Sequence, residues 1–145
     1  MSNKNIAIGC DHAGYGLKEV IKRILTEKGY DVNDCGTYSE ESTDYPDYAH
    51  AVAKDVIDNN KRGILICGSG NGINMTANKH QEIRSALCWK AEIAEMARLH
   101  NDANIVAIPA RFIPEEEALK IVDIFLGTEF EGGRHERRVS KISCC

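Results

Sequence analysis

Short apolar runs alternate with amphipathic segments along the whole chain, and this alternation restricts the possible fold more than any other feature of the sequence. Five runs have the length and β-branched content of buried strands: 5–11, 30–36, 63–67, 84–89 and 103–110. Segments predicted to be helical follow each of them: 15–29, 45–60, 72–80, 90–102 and 114–128, the last with Pro114 at its first helical position. A final amphipathic helix is predicted over 131–143.

A strand followed by a helix, repeated in this way, predicts right-handed crossovers and a parallel sheet covered on both faces. The expected fold class is α/β: a three-layer, doubly wound (Rossmann-like) sandwich with a five-stranded parallel sheet. No linker or internal repeat divides the 145 residues, so a single domain spanning 1–145 is expected. Ligands bind such sheets beyond the carboxyl ends of the strands, and the candidate residues are therefore those that follow each strand.

The charge and hydropathy of the chain argue against two classes of partner. Its formal net charge is −4 at pH 7, which gives no electrostatic basis for binding nucleic acid or anionic lipid. No apolar run approaches the roughly 20 residues that a bilayer-spanning helix needs. The amino-terminal residues lack the long apolar stretch and the cleavage site of a secretory signal. We therefore expect a cytoplasmic protein with no nucleic-acid and no membrane partner.

The six cysteines do not follow the spacing of a disulfide framework or of a zinc site. Four of them lie in or at the end of apolar runs, and no C-x-x-C pair is present: Cys10, Cys35, Cys67 and Cys88. Cys144 and Cys145 are adjacent, which suits neither kind of site. We interpret most of the cysteines as reduced residues that pack as small hydrophobes, and we expect no metal site.

Three glycines follow the third predicted strand in the stretch "GILICGSGNG", at positions 68, 70 and 72. The spacing does not match a dinucleotide fingerprint, because Ile73 stands where a third glycine would be needed, and no G-K-[ST] follows as in a P-loop. Ser69 lacks the flanking glycines of a nucleophile elbow. Gly68, Gly70 and Gly72 permit positive φ and close approach, so the amides at the start of helix 72–80 are expected to form an anion hole; a merely tight turn is the alternative.

Cys67 ends the strand that leads into this loop. A thiol at a helix amino terminus is expected to have a lowered pKa, because the positive end of the helix dipole favours the thiolate. A thiolate beside an anion hole is suited to act as a nucleophile or as a general base. The alternative is an inert core cysteine.

Other polar residues follow the remaining strands. Asp11 and His12 come after the first strand and form either part of a phosphate site or a polar loop pair. Arg134 and Arg138 are four residues apart on one helical face, which suits a phosphate dianion as well as a solvated basic surface. His100 and Asn101 lie at the other end of helix 90–102, so they are predicted to point away from the carboxyl edge.

Six separated motifs identify a family resemblance over nearly the whole chain. "GCDHAG", "DYPDYA", "CGSGNG", "ANKH", "RSAL" and "ARLHNDANI", in this order, resemble the type B ribose-5-phosphate isomerases. The wider group includes the galactose-6-phosphate isomerase subunits and the allose-6-phosphate isomerases. The resemblance implies an aldose–ketose isomerase of the pentose phosphate pathway that interconverts D-ribose 5-phosphate and D-ribulose 5-phosphate through an enediolate, without a metal or organic cofactor.

The resemblance also implies the catalytic residues. Cys67 corresponds to the base that takes the C2 proton, and Ser69 with the loop amides corresponds to the group that holds the enediolate oxygen. His100 matches a ring-opening histidine, and Asp11 is expected to assist it by binding a sugar hydroxyl. Other members use a glutamate six positions after the cysteine, where this chain has Ile73, so the chain resembles the cysteine type in its base and the glutamate type in its "GSGNG" loop.

The substrate-binding residues implied by the resemblance include three phosphate ligands, His12, Arg134 and Arg138. The remaining members of this set are Tyr45, Gly68, Gly70, Asn71, Gly72, Asn101 and Arg111. In this family the histidine that opens the sugar ring comes from the partner chain, so a homodimer with shared active sites is expected, and further association to a tetramer is left open. Helix 131–143 is expected to pack at the active site or at the subunit interface.

Three other functions compete with this interpretation. The same chemistry on a six-carbon sugar 6-phosphate, such as allose or galactose 6-phosphate, would need a deeper pocket. A non-catalytic sensor of sugar phosphates or nucleotides would need the arginines and the anion hole, but neither a base nor a ring-opening histidine. Thiol redox chemistry would need a resolving partner for Cys67, and the sequence offers none at C-x-x-C spacing.

Overall fold

Five strands lie at the centre of the structure, a computed structural model that describes residues 3–143. They are β1 (Asn5–Cys10), β2 (Asp31–Asp34), β3 (Arg62–Cys67), β4 (Ser85–Leu87) and β5 (Ile105–Pro109). Within the described residues they form one sheet in the order β2-β1-β3-β5-β4, and every neighbouring pair is parallel. The connecting helices are α1 (Tyr15–Glu27), α2 (Tyr45–Asn59), α3 (Asn71–Ala77), α4 (Ala91–Leu99) and α5 (Glu115–Gly127), and α6 (Arg134–Ser140) ends the described chain.

The helices cover both faces of the sheet with separate apolar cores. On one face α1, α4 and α5 bury side chains such as Ile21, Ala94 and Phe125 against the strands. On the other face α2 and α3 contribute Val52 and Ile73 to a second core. Because the side chains of a buried parallel strand project to both faces, the central strands β1, β3 and β5 are apolar along most of their length, whereas β2 at the side of the sheet is mostly polar. The predicted three-layer, doubly wound α/β fold is confirmed.

The strand order reverses between β1 and β3, and the segments that follow these two strands meet at that point. The backbone N–H of Asp11 donates to the carbonyl oxygen of Ile66 over 3.2 Å. A Cβ at Gly14 would lie 2.6 Å from the same oxygen, so the turn after β1 approaches β3 as closely as a glycine allows. In doubly wound sheets this reversal is where ligands bind.

Several boundaries differ from those predicted. Strand β4 covers only Ser85–Leu87 rather than 84–89, and α6 covers Arg134–Ser140 rather than 131–143. Pro114 is the N-cap of α5 rather than its first helical residue, since its ψ of 154° is extended and the helix begins at Glu115. Residues 141–142 after α6 form a turn, whereas Arg84 and Cys88 on either side of β4 are in neither a strand nor a helix.

The outer edge of the sheet at β4 is covered by a side chain. The Asn78 side-chain oxygen Oδ1 accepts from the backbone N–H of Ser85 over 2.8 Å, and its Nδ2 donates to the carbonyl oxygen of Ser85 over 2.9 Å. One amide side chain thus satisfies both backbone groups of a residue on the open side of the last strand.

A buried lysine anchors the loop between β2 and α2. Lys18 on α1 is 0% exposed, and its Nζ donates to both carboxylate oxygens of Asp34 over 2.7 Å and to the carbonyl oxygen of Thr37 over 2.6 Å. Burial tends to raise the pKa of Asp34, but hydrogen bonds from Lys18, Gly36 and Lys22 outweigh it and leave this pKa below its usual value. The paired charges therefore hold the loop against α1 at the carboxyl end of the sheet.

Candidate active site

The glycines of the loop after β3 provide one left-handed backbone conformation and make room for neighbouring side chains. Gly70 has φ of 79°, and a Cβ there would also lie 2.5 Å from Leu87 Cδ1. Gly68 and Gly72 also permit positive φ, but neither residue adopts it. These two glycines make room for neighbours instead: a Cβ at Gly68 would lie 3.4 Å from the Arg111 side chain, and one at Gly72 would lie 2.5 Å from the Tyr45 ring.

The sulfur of Cys67 lies inside this loop. The backbone N–H groups of Ile73, Gly70 and Ser69 face it and favour its charged form. Burial outweighs them, so the pKa of the Cys67 thiol is raised above its usual value. The predicted lowering of this pKa is therefore wrong: the amides are present as expected, but desolvation of the sulfur is the larger effect.

The surroundings of Cys67 are partly open to solvent. The residue itself is 5% exposed, whereas Ser69, Asn71 and Arg111 around it are exposed. The hydroxyl oxygen of Ser69 accepts from the N–H of Asn71 over 3.3 Å, which leaves the hydroxyl proton able to donate to another oxygen. A cavity of about 1010 Å³, lined by Arg62, Arg84 and Arg98 among others, lies elsewhere and does not include Cys67.

Tyr45 begins α2 and is 41% exposed. Its ring carbon Cε1 is the atom closest to the missing Cβ of Gly72, so the ring packs over the first turn of α3. This placement puts a flat side chain with a hydroxyl group beside the loop that holds Cys67.

The turn after β1 brings an acid and an imidazole to the same edge. The Asp11 side-chain oxygen Oδ1 accepts from the N–H groups of Ala13 and Gly14 over 3.0 and 3.2 Å, and Asp11 is 7% exposed. The Nδ1 of His12 accepts from the N–H of Thr43 over 3.1 Å. A neutral His12 therefore carries its proton on Nε2, where it can donate to an anionic ligand.

The remaining candidates lie at the opposite end of the sheet, where the strands begin. His100 is the C-cap of α4, which runs antiparallel to the strands, and Asn101 follows it in an exposed position. Arg134 and Arg138 are exposed on α6, whose residue His135 contacts His100. Within one chain the candidate residues thus form two separate groups, one at the carboxyl ends of the strands and one at their amino ends. The first comprises Asp11, His12, Tyr45, Cys67, Gly68, Ser69, Gly70, Asn71, Gly72 and Arg111; the second comprises His100, Asn101, Arg134 and Arg138.

Two residues that the sequence analysis did not select, Glu131 and His135, lie beside the second group. The rings of His100 and His135 are stacked with centroids 4.2 Å apart and planes inclined by 17°, and the Glu131 carboxylate oxygen Oε1 lies 3.7 Å from His135 Nε2. The one sequence signal that could have found them is the pair Gly132–Gly133 before α6, since both have positive φ and form the turn that places His135.

His100, Glu131 and His135 also have the residue types of a metal site. One ligand atom from each lies within 4.8 Å of the others. Histidine nitrogens bind metals through lone pairs in the ring plane. Two rings stacked almost in parallel hold these lone pairs in two nearly parallel planes, which disfavours their convergence on one ion. In this arrangement the three side chains favour a ring stack over a metal centre.

Comparison with known proteins gives a family for this fold and this set of residues. A sequence model described as Ribose/Galactose Isomerase matches residues 6–142. The chain belongs to the ribose/galactose isomerase family. The resemblance drawn from the six sequence motifs is thereby confirmed.

Individual members of the ribose/galactose isomerase family are similar over nearly their whole length. Ribose-5-phosphate isomerase B of Escherichia coli is 48% identical over 97% of this chain and 95% of its own length. A crystal structure of a ribose 5-phosphate isomerase from Thermotoga maritima has a TM-score of 0.93 and 52% identity, covering 96% of this chain and 97% of that one. The enzyme of Mycoplasma genitalium, crystallised with bound ribulose-5-phosphate, has a TM-score of 0.92 and 45% identity, covering 98% of this chain and 95% of that one.

Proposed function

We propose that the protein is an aldose–ketose isomerase that interconverts D-ribose 5-phosphate and D-ribulose 5-phosphate, a reaction of the pentose phosphate pathway. The observation that carries this proposal is the Cys67 sulfur, faced by the amides of Ser69, Gly70 and Ile73 and placed beside the Asp11–His12 turn at the strand reversal. The relatives named as ribose-5-phosphate isomerases support the choice of substrate.

Cys67 is the proposed base. Its thiolate takes the proton from C2 of the open-chain aldose, the electron pair forms a C1–C2 double bond, and negative charge moves to the oxygen on C1. The thiol then returns its proton to C1, while the proton on the C2 oxygen passes to the negatively charged C1 oxygen, so that C2 becomes the carbonyl carbon and C1 carries a hydroxyl group. Donors from the Gly68–Gly72 loop and the Ser69 hydroxyl stabilise the developing oxyanion.

The phosphate and the sugar ring are assigned to the other candidates. His12 offers its Nε2 proton to the phosphate, and Arg134 and Arg138 supply charged donors suited to a dianion. Arg111 is a further donor beside the loop. His100 opens the sugar ring by moving a proton at the ring oxygen, and Asp11 holds a sugar hydroxyl. No metal or organic cofactor is part of this route.

We propose that two chains share each active site. Cys67 and His100 lie at opposite edges of one sheet, so His100, Arg134 and Arg138 would come from the partner chain. Large exposed apolar side chains near the carboxyl edge support an interface there: Tyr38 (68% exposed), Met75 (65%), Trp89 (49%) and Phe112 (74%). A homodimer is the minimum assembly, and a tetramer would be built from such dimers.

The proposed location is the cytoplasm. The four described cysteines, Cys10, Cys35, Cys67 and Cys88, are free thiols, which suits a reducing compartment. Within residues 3–143 no helix has the length and apolar content needed to cross a membrane.

The proposal is tested by comparing kcat/KM of the purified protein for ribose 5-phosphate, allose 6-phosphate and galactose 6-phosphate. The family description covers both ribose and galactose isomerases, which makes the six-carbon substrates the competing choice. The highest kcat/KM is expected for ribose 5-phosphate. A higher value for either six-carbon sugar would transfer the same mechanism to that substrate, and no isomerisation of any of the three would refute the proposed activity.

A further inference from the structure

The ring of His135 is packed face to face on the ring of His100. The centroids are 4.2 Å apart, and the planes are inclined by only 17°. Within residues 3–143 the His100 side chain makes no hydrogen bond to the protein, and its backbone N–H donates to the carbonyl oxygen of Met96. The stacked ring therefore restrains the plane of His100, and it does so without using either His100 ring nitrogen.

His135 is itself held firmly. It is 7% exposed in the first turn of α6, where its N–H donates to the carbonyl oxygen of Gly132 over 3.0 Å. The segment before α6 is joined to the end of α4, because the N–H of Glu131 donates to the carbonyl oxygen of Leu99 over 3.1 Å. Together these two hydrogen bonds place the His135 ring against the ring of His100.

Burial and the neighbouring charges lower the pKa of His135 and so favour its neutral form. Burial lowers its pKa most, a charge on His100 lowers it further, and Arg134 and Arg138 act in the same direction, whereas Glu131 opposes them. The His135 Nε2 is buried without a hydrogen-bond partner in the described chain, and Glu131 Oε1 at 3.7 Å is too distant for one. A neutral, buried ring can support its neighbour without competing for the proton that its neighbour transfers.

We infer that His135 is a positioning residue that orients His100 for opening the sugar ring. This inference rests on the proposed function, in which His100 moves a proton at the ring oxygen. Orientation matters because a small misplacement of a catalytic group costs about two powers of ten in rate in unfavourable cases.

Two reactions of the same enzyme separate this role from a general structural one. Turnover of ribose 5-phosphate requires ring opening. Exchange of a C1 hydrogen of ribulose 5-phosphate with D2O requires only enolisation, because O5 carries the phosphate and the ketose cannot close a five-membered ring. Steady-state assay measures the first, and ¹H NMR measures the second.

The test uses His135→Ala, which removes the ring, and His135→Phe, which keeps a flat ring without nitrogens. His135→Ala is expected to lower turnover of ribose 5-phosphate by about tenfold or more, with C1 exchange changed by less than about twofold. His135→Phe is expected to retain most of the turnover. Arg137→Ala, an exposed change on the same helix, serves as the matched control and should alter neither rate.

Three results would overturn the inference: an equal fall in both rates for His135→Ala, unchanged turnover of ribose 5-phosphate in that variant, or a His135→Phe variant that loses as much turnover as the alanine variant. If His135→Ala does not fold, His135→Gln replaces it in the same comparison. A failure of the proposed function is distinguishable, since the unmodified protein would then show neither turnover nor exchange.

Discussion

The sulfur of Cys67 and the imidazole of His100 lie at opposite edges of the same parallel sheet. Cys67 ends β3, whereas His100 ends α4, which runs in the opposite direction to the strands. One chain therefore cannot bring the proposed base and the proposed ring-opening histidine to one sugar without unfolding part of the sheet. Two chains can do so, because the edge that carries Cys67 in one protomer can face the edge that carries His100 in the other.

Mixing two inactive variants tests this sharing. Cys67→Ala and His100→Ala should each be almost inactive alone. In a mixed dimer one site carries both changes and the other carries none. An equal mixture, unfolded and refolded together, should therefore recover about one quarter of the unmodified activity, since about half of the dimers are mixed and each has one intact site. A mixture that recovers no activity, although mixed dimers are detected by mass spectrometry, would place both residues of a site in one chain.

Replacing the proposed base separates an isomerase from a sensor. Cys67→Ala should lower kcat by about 10²-fold or more, because a general base is lost, with little change in the affinity for ribose 5-phosphate measured by calorimetry. The control is Cys88→Ala, which removes another fully buried thiol. Equal activity of the two variants would leave Cys67 without a catalytic role.

The buried thiol also predicts the pH dependence of turnover. Since burial raises the pKa of Cys67, only a small part of the sulfur is thiolate at pH 7, and this part grows as the pH rises. We expect log(kcat/KM) to increase with a slope of about one per pH unit from neutral into alkaline solution. Alkylation of Cys67 by iodoacetamide, followed by mass spectrometry, should accelerate in parallel. A rate that is already constant from pH 6 upward would mean that the thiolate forms at low pH.

Gly72→Ala tests the contact with Tyr45. The new Cβ would lie 2.5 Å from the Tyr45 ring, so the ring or the start of α3 must move. We expect a loss of about 1–3 kcal/mol in the free energy of unfolding, measured by urea denaturation. Tyr45→Ala should relieve part of this loss in the double variant, as a non-additive pair in contact does. Gly16→Ala is the control: nothing lies near its Cβ, and helix α1 should gain about 0.5–1 kcal/mol.

Lys18→Met tests the buried ion pair. Removing the ammonium leaves Asp34, whose side chain is 12% exposed, without its main partner. Because an unpaired buried charge is costly, the free energy of unfolding should fall by about 3–5 kcal/mol. Lys54→Met breaks the exposed pair with Asp58 and should change it by less than about 0.5 kcal/mol. Similar losses in both variants would show that burial of Lys18 contributes nothing to stability.

The layered fold could be predicted from the sequence because its determinants are local. Apolar runs of strand length alternate with amphipathic segments of helical periodicity. This pattern alone implies a parallel sheet with both faces covered by helices. The three glycines after β3 indicated a loop that permits positive φ, but not which of them adopts it, which the structure shows to be Gly70. Boundaries such as that of β4 were less accurate, since they depend on which residues continue to pair with β5.

The raised pKa of Cys67 and the contacts of His100 with α6 could not be predicted in the same way. The helix start and the glycine loop indicated amides near Cys67, but the depth at which the sulfur is buried depends on packing between distant segments. The stack of His100 on His135 joins α4 to α6 across a sequence separation that no periodicity spans. Glu131 lies beside the same pair because its own backbone N–H donates to the carbonyl oxygen of Leu99.

Asn78 restricts how copies of this protein can associate. Its side-chain amide occupies the outward N–H and C=O of Ser85, where an additional strand would otherwise hydrogen-bond to the three-residue β4. Asn78 therefore disfavours pairing of the edge strand β4 with an edge strand of another protomer. It also disfavours the open-ended polymers that such pairing would produce. Self-association through the ends of the strands and the helix surfaces remains open, and such contacts can form a closed oligomer.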